Sequence, residues 1–190
     1  MKALALLLLA AIAQARRNLP RVKPDNDQNS PYNWTTAVFT TRLNHFSYVD
    51  TRTINIRYLY NLDHYKPGSP LFFYTGNEGD IEEFATATGL MWDLAPVFNA
   101  AIVLCEHRYY GHSLPFGNYT NTYSSTSNLE YFSTTQALGD FAAILTALKD
   151  QKKPLAIGFP KETKVIGWGG SYGGMLCAWF RLKYPHLFDG

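Results

Sequence analysis

Hydrophobic and polar positions repeat along this chain with two different periods, and the switches between them mark its elements. Between Thr53 and Asn61, the residues Ile54, Ile56, Tyr58 and Tyr60 fall on every second position, the spacing of one strand face. Ala37 to Phe46 is rich in Val, Thr and aromatics, which predicts a neighbouring strand joined to the first by a turn around Asp50. A break at Lys66-Pro67-Gly68-Ser69-Pro70 precedes Leu71-Phe72-Phe73-Tyr74, an apolar run without a polar phase, as expected of a strand covered on both faces. Ala100 to Glu106 predicts another such strand.

The helical period lies between these runs. Ile81 to Asn99 reads as helical in parts, with breaks near Gly89 and Pro96 and with Leu90, Met91, Leu94, Val97 and Phe98 facing inward. Tyr119 to Asn128, rich in Thr, Ser and Asn, predicts a surface loop. Ser133-Thr134-Thr135-Gln136 has the form of a capping box, with Ser133 as N-cap and Gln136 reaching back. An apolar stripe of Leu138, Phe141, Ala142, Leu145 and Leu148 follows it. Lys164 to Trp168 predicts a short buried strand, and Met175, Leu176, Trp179 and Phe180 one face of a final helix. Alternating strands and helices of this kind imply an α/β fold, with a mostly parallel sheet between helices on both faces and an antiparallel opening pair.

Composition adds that the 190 residues are 46% hydrophobic and carry a net charge of +2, which suits one globular domain and not a nucleic-acid binder. The densest basic cluster, Arg16, Arg17, Arg21 and Lys23, lies near the N-terminus rather than on a predicted folded face. Met1 to Ala15 has the parts of a secretory signal: one Lys, an apolar run from Ala3 to Ala13, and Ala13-Gln14-Ala15 as the cleavage site. That run is too short to cross ~30 Å of hydrocarbon, so no membrane association is expected after cleavage. Residues 16–35 are expected to form a mobile leader, and 36–190 the folded part. Secretory entry gives meaning to two glycosylation sequons, at Asn33 and Asn118. Cys105, on a predicted core strand, and Cys177, on the final helix, read as buried free thiols. No metal or other cofactor enters the reading.

The chemistry concentrates where the last strand meets the last helix. Gly169 to Gly173 spell G-x-S-x-G with Ser171 at the apex, the strand, tight turn and helix of a nucleophile elbow as found in α/β hydrolases. The alternative for these glycines is close packing of helix on strand. A hydroxyl there stands beside a helix N-terminus, whose free N–H groups can hold an oxyanion, with Tyr172 as first donor. The second donor of such a site comes from the loop after the third strand, here Gly76 to Gly79, which nominates the N–H of Asn77 or Gly76. Glu78, Asp80, Glu106, His107 and Arg108 share this rim. They form either an ion-pair lattice that fixes the loops, the favoured reading, or a receptor for the charged end of a peptide.

Tyr74 to Asp80, Glu106 to Gly117 and Gly169 to Met175, with Tyr184-Pro185-His186 after the helix, together resemble the family of lysosomal Pro-X carboxypeptidase and dipeptidyl peptidase II, over roughly Phe39 to Gly190. The resemblance implies a glycosylated lysosomal or secreted serine exopeptidase that cuts peptides next to proline. It also implies an α/β-hydrolase core capped by a helical domain inserted later in the chain, Ser171 as nucleophile, acidic operation and a homodimer of the complete protein. Both branches share the motifs, so release of a C-terminal residue and release of an N-terminal dipeptide stay open.

One departure stands out. The family's triad runs serine, acid, histidine, with both partners on loops after later strands. Of His45, His64, His107, His112 and His186, none occupies that place in chain order. The sequence is therefore expected to be the N-terminal portion of an α/β-hydrolase domain, truncated after the nucleophile helix and inactive alone, with the edge of its last strand exposed. Two other readings are a non-catalytic secreted glycoprotein that keeps half of the fold, and an esterase or lipase on the same core.

Overall fold

The two apolar runs pair with each other at the heart of a five-stranded sheet. The computed structural model describes residues 30–150 and 157–190; the signal segment and the leader as far as 29 lie outside the described residues. The strands are β1 (Thr35–Arg42), β2 (Thr53–Asn61), β3 (Leu71–Thr75), β4 (Ala101–Cys105) and β5 (Val165–Trp168). Their spatial order is β1-β2-β4-β3-β5. β1 pairs antiparallel with β2, and β2 with β4, whereas β4, β3 and β5 run parallel. Every residue of β3 and β4 is buried, because both faces of the parallel part are covered.

Alternate side chains of these strands feed two cores. Leu71, Phe73, Ala101 and Val103 face the helices α4 (Thr134–Leu148) and α5 (Ser171–Lys183). Phe72, Tyr74, Ile102 and Leu104 face α1 (Ile81–Ala87) and α2 (Gly89–Phe98). Phe73, Phe141, Phe180 and Phe188 meet edge to face or tilted in the first core, and burial of each such ring contributes about 1.5–3 kcal/mol.

Several local expectations change. The inward face of α2 is Met91, Trp92 and Ala95, while Leu90, Val97 and Phe98 are more than half exposed. The run was apolar on nearly every position, so its period did not select a side. Pro96 sits within the last turn of α2 without ending it, since the loss of one N–H near a helix C-terminus costs a single bond. The break expected near Gly89 is present, at Thr88, whose hydroxyl donates to the Phe84 carbonyl at 2.6 Å. The expected loop at Tyr119–Asn128 contains a short helix, α3 (Tyr119–Thr122), capped by Asn118, and a 3₁₀ turn at Ser127–Leu129.

The capping box is half formed: Ser133 Oγ accepts the Gln136 N–H at 3.3 Å, but the buried Gln136 amide bonds instead to the His45 N–H and Asn44 Oδ1. On α5, Leu176 and Phe180 are buried and Met175 and Trp179 are not. The described end of the leader is packed, with Tyr32 stacked on Trp92 at 4.9 Å. The outer edge of β5 is also occupied, because Gly167 donates to the Gly190 carbonyl and Asp189 to that of Val165, both at 2.8 Å.

Candidate active site

β5 delivers the chain through Gly169 and Gly170 to Ser171, the first residue of α5. Reversal within so few residues needs a left-handed apex, and Ser171 has φ +52°. That conformation costs an L-residue about 1–3 kcal/mol and persists only where the surroundings enforce it. The enforcement is visible in two glycines. A Cβ on Gly169 would lie 2.4 Å from the Gly173 carbonyl oxygen, and one on Gly173 would lie 2.2 Å from Asn77 Oδ1 and 2.6 Å from the Thr75 carbonyl oxygen. Gly170 has open space where its Cβ would be, so packing does not demand glycine there. The Ser171 side chain is left exposed at the bend.

The loop after β3 braces this bend from below. Asn77 Nδ2 donates to the Gly170 carbonyl at 2.6 Å, and its Oδ1 accepts the Tyr74 hydroxyl at 2.9 Å. Thr75 Oγ1 lies 2.8 Å from the Gly173 carbonyl oxygen and 3.1 Å from that of Trp168. Of the two N–H groups nominated in this loop, that of Gly76 is committed to the Cys105 carbonyl at 3.0 Å and is unavailable. The N–H groups of Asn77 and Tyr172 have no hydrogen-bond partner among the described residues.

His107 closes the side of the bend. Its Nδ1 lies 2.6 Å from the Arg108 carbonyl oxygen, which can only accept, so Nδ1 carries the proton. Its Nε2 is then an acceptor for the Tyr172 hydroxyl at 3.1 Å. Burial lowers the His107 pKa and keeps the ring neutral. Both ring nitrogens are thus engaged in holding the loop and Tyr172.

The charged rim resolves into two lattices, each built on a buried ion pair, Arg57–Glu106 and Arg108–Asp140. Glu106 Oε1 accepts Arg57 Nη2 at 2.6 Å and the Ile81 N–H at 3.1 Å, while Oε2 accepts Ser113 Oγ at 2.7 Å and the His112 N–H at 2.9 Å. Arg57 also pairs with Asp80, which caps α1, and with Glu82. Arg108 spans both Asp140 oxygens, at 2.6 and 2.7 Å, and donates to the Leu43 and Tyr131 carbonyls. Asp80, Glu106 and Arg108 are thus each engaged by partners inside the protein, Glu106 and Arg108 fully buried and Asp80 partly exposed. Glu78 differs: it is exposed and forms no hydrogen bond or ion pair among the described residues.

Residues 41–190 match the model of the family described as serine carboxypeptidase S28. The chain belongs to that family. It is 41% identical over 202 residues to the lysosomal Pro-X carboxypeptidase of Homo sapiens, covering 100% of this chain and 39% of that protein. To the prolyl carboxy peptidase like protein 5 of Caenorhabditis elegans it is 50% identical over 145 residues, 76% of this chain and 27% of that one. The S28 chain thus spans well under half the length of these relatives. A probable hydrolytic enzyme of Pseudomonas aeruginosa PAO1 superposes with a TM-score of 0.52 at 17% identity, over 85% of this chain and 41% of its own, and shows the α/β-hydrolase fold.

The remaining residues of the S28 chain complete the picture. The Ser171 hydroxyl has no hydrogen-bond partner among the described residues. His45 is held by Asp140 at 2.8 Å, and His112 is exposed beside Asp80 at 3.9 Å. Asn33 and Asn118 are both exposed; Asn118 Oδ1 accepts the Asn121 N–H at 2.8 Å, which leaves its Nδ2 outward. Cys105 and Cys177 are free thiols, Cys105 buried and Cys177 partly so. Among the described residues, no helix is long and apolar enough to cross a membrane and no group of metal-ligating side chains converges. Arg57 and Asp140 went unread because each occupies a position that the pattern assigns to solvent: Arg57 is the polar phase between Ile56 and Tyr58.

Proposed function

We propose that this chain carries the nucleophile and the oxyanion hole of a serine exopeptidase that cuts peptides next to proline in the lysosome or outside the cell. The observation that carries the reading is the left-handed backbone of Ser171, which lifts an exposed hydroxyl above the bend between β5 and α5. Attack of Ser171 Oγ on a peptide carbonyl places negative charge on its oxygen, and the unengaged N–H groups of Tyr172 and Asn77 are the donors for it. Asn77 is doubly placed: its side chain fixes the bend through Gly170 while its backbone supplies a donor. The general base has to come from outside the described residues, because His107 is consumed by Tyr172 and Arg108 and no other described histidine bonds to Ser171. Family membership and the Pro-X carboxypeptidase relatives support peptides as the substrate class.

The test uses the full-length gene product. Ser171→Ala should abolish labelling by a fluorophosphonate probe and turnover of X-Pro-linked fluorogenic peptides. Labelling that survives the substitution would overturn the nucleophile assignment. Turnover of short acyl esters without cleavage of proline peptides would instead favour an esterase.

A further inference from the structure

A left-handed serine keeps its conformation only if the residues on both sides of it are held. On the N-terminal side of Ser171 the hold is Asn77, whose Nδ2 donates to the Gly170 carbonyl at 2.6 Å. On the C-terminal side the backbone offers little, because Tyr172 lies in the first turn of α5, where the N–H groups have no partner within the helix. The first helical bond runs from the Gly174 N–H to the Gly170 carbonyl, at 3.0 Å. Tyr172 is fixed instead by the far end of its side chain.

That end is met from two other parts of the fold. With Nδ1 of His107 protonated, Nε2 can only accept, so the Tyr172 hydroxyl donates to it at 3.1 Å. The hydroxyl oxygen is then left to accept from Thr134 Oγ1 at 3.3 Å. Thr134 is the first residue of α4, in a helix start that Ser133 caps. His107 is buried, and its ring is wedged by Tyr110 at 5.4 Å and Phe132 at 6.3 Å. Its Nδ1 meets the Arg108 carbonyl at 2.6 Å, and the Arg108 guanidinium is in turn held by both oxygens of Asp140. The buried Arg108–Asp140 pair thus reaches the bend through one histidine, whose tautomer the Arg108 carbonyl sets.

We infer that His107 and Thr134 are positioning residues for the oxyanion: they clamp the Tyr172 hydroxyl, and through it they hold the Tyr172 N–H beside the left-handed Ser171. The inference rests on the nucleophile reading of Ser171 and deepens it, giving a role to a hydroxyl that touches no substrate.

In the full-length gene product, Tyr172→Phe removes one oxygen and keeps the N–H. It should lower kcat on X-Pro-linked fluorogenic peptides, and the rate of fluorophosphonate labelling, by about 10- to 100-fold with KM within about twofold, because a displaced donor weakens the transition state and not the bound substrate. Thr134→Val should lose part of the same rate and Thr134→Ser should retain it. In the Tyr172→Phe background, Thr134→Val and His107→Gln should each cost nothing further, since the clamp is already open. A role confined to stability would lower the urea midpoint and leave kcat of the folded enzyme unchanged. A kcat for Tyr172→Phe within about twofold of the parent, or a Thr134→Val loss that persists in its background, would overturn the inference.

A crystal structure of the full-length Tyr172→Phe variant separates the clamp from the nucleophile. The N–H at position 172 should move relative to that of Asn77 by more than about 0.5 Å, the tolerance of a productive site. Labelling that survives Ser171→Ala would refute the nucleophile and leave the clamp supported by that movement. An N–H that has not moved would refute the clamp and not the nucleophile.

Discussion

Two glycines three residues apart should answer unequally to the same added methyl group. At Gly173, a Cβ meets Asn77 Oδ1 at 2.2 Å and the Thr75 carbonyl oxygen at 2.6 Å. Both contacts are far inside van der Waals range. The Thr75 carbonyl belongs to the paired part of β3 and gives little, so the first turn of α5 must move away from β3 and Asn77, which loosens the 2.6 Å bond from Asn77 to Gly170. Overpacking of this kind costs about 1–3 kcal/mol, and a weakened hydrogen bond about 1 more. Alanine's helix propensity in the first turn of α5 returns roughly 1 kcal/mol. Gly173→Ala should therefore destabilise by about 1–3 kcal/mol and displace the N–H groups of Asn77 and Tyr172 that we propose as oxyanion donors.

At Gly170 the added methyl meets nothing within 4 Å, and the backbone there is extended, with φ −127°. Its replacement by alanine should stay within about 1 kcal/mol, the size of a cap effect. Urea denaturation of this chain reads the stability, and the rate of fluorophosphonate labelling in the full-length product reads the geometry. Equal effects at the two positions would refute the claim that packing at Gly173 holds the bend.

Two further outcomes follow from the buried groups. Arg57→Met removes the counter-ion of fully buried Glu106 and should cost about 3–5 kcal/mol in urea denaturation, and a loss below about 1 kcal/mol would show the lattice to be dispensable. His107, whose pKa burial depresses below the ordinary histidine value of about 6.5, is neutral when folded and protonates first in the unfolded chain. Its contribution is therefore full above about pH 6.5 and is lost as pH falls towards the folded value, with a limiting slope of about 1.4 kcal/mol per pH unit. His107→Gln should flatten the stability profile in that window, and an unchanged profile would mean that the ring is not held neutral.

Much of the architecture was legible from local pattern. Ile54, Ile56, Tyr58 and Tyr60 placed β2 at its observed bounds, and the unbroken runs at Leu71 and Ala100 announced strands covered on both sides. Gly-x-Ser-x-Gly between a strand and a helix located the bend, because glycine is the residue that tolerates such close backbone approach. Other features were settled only in three dimensions. The inward side of α2 depended on which of several apolar faces met the sheet. Whether Gly76 or Asn77 had a free N–H depended on the reach of Cys105 across the β3–β4 pair.

The rim shows the difference most directly. Sequence determined that acids and bases would gather at the C-terminal ends of β3 and β4, since both strands run parallel and end together. Only the tertiary structure decided which charges cancel, because Arg57 arrives from β2 and Asp140 from α4, elements distant along the chain. A charge is structural or functional according to what lies within about 3 Å of it. That neighbourhood is a property of the folded chain, and it left Glu78 facing outward.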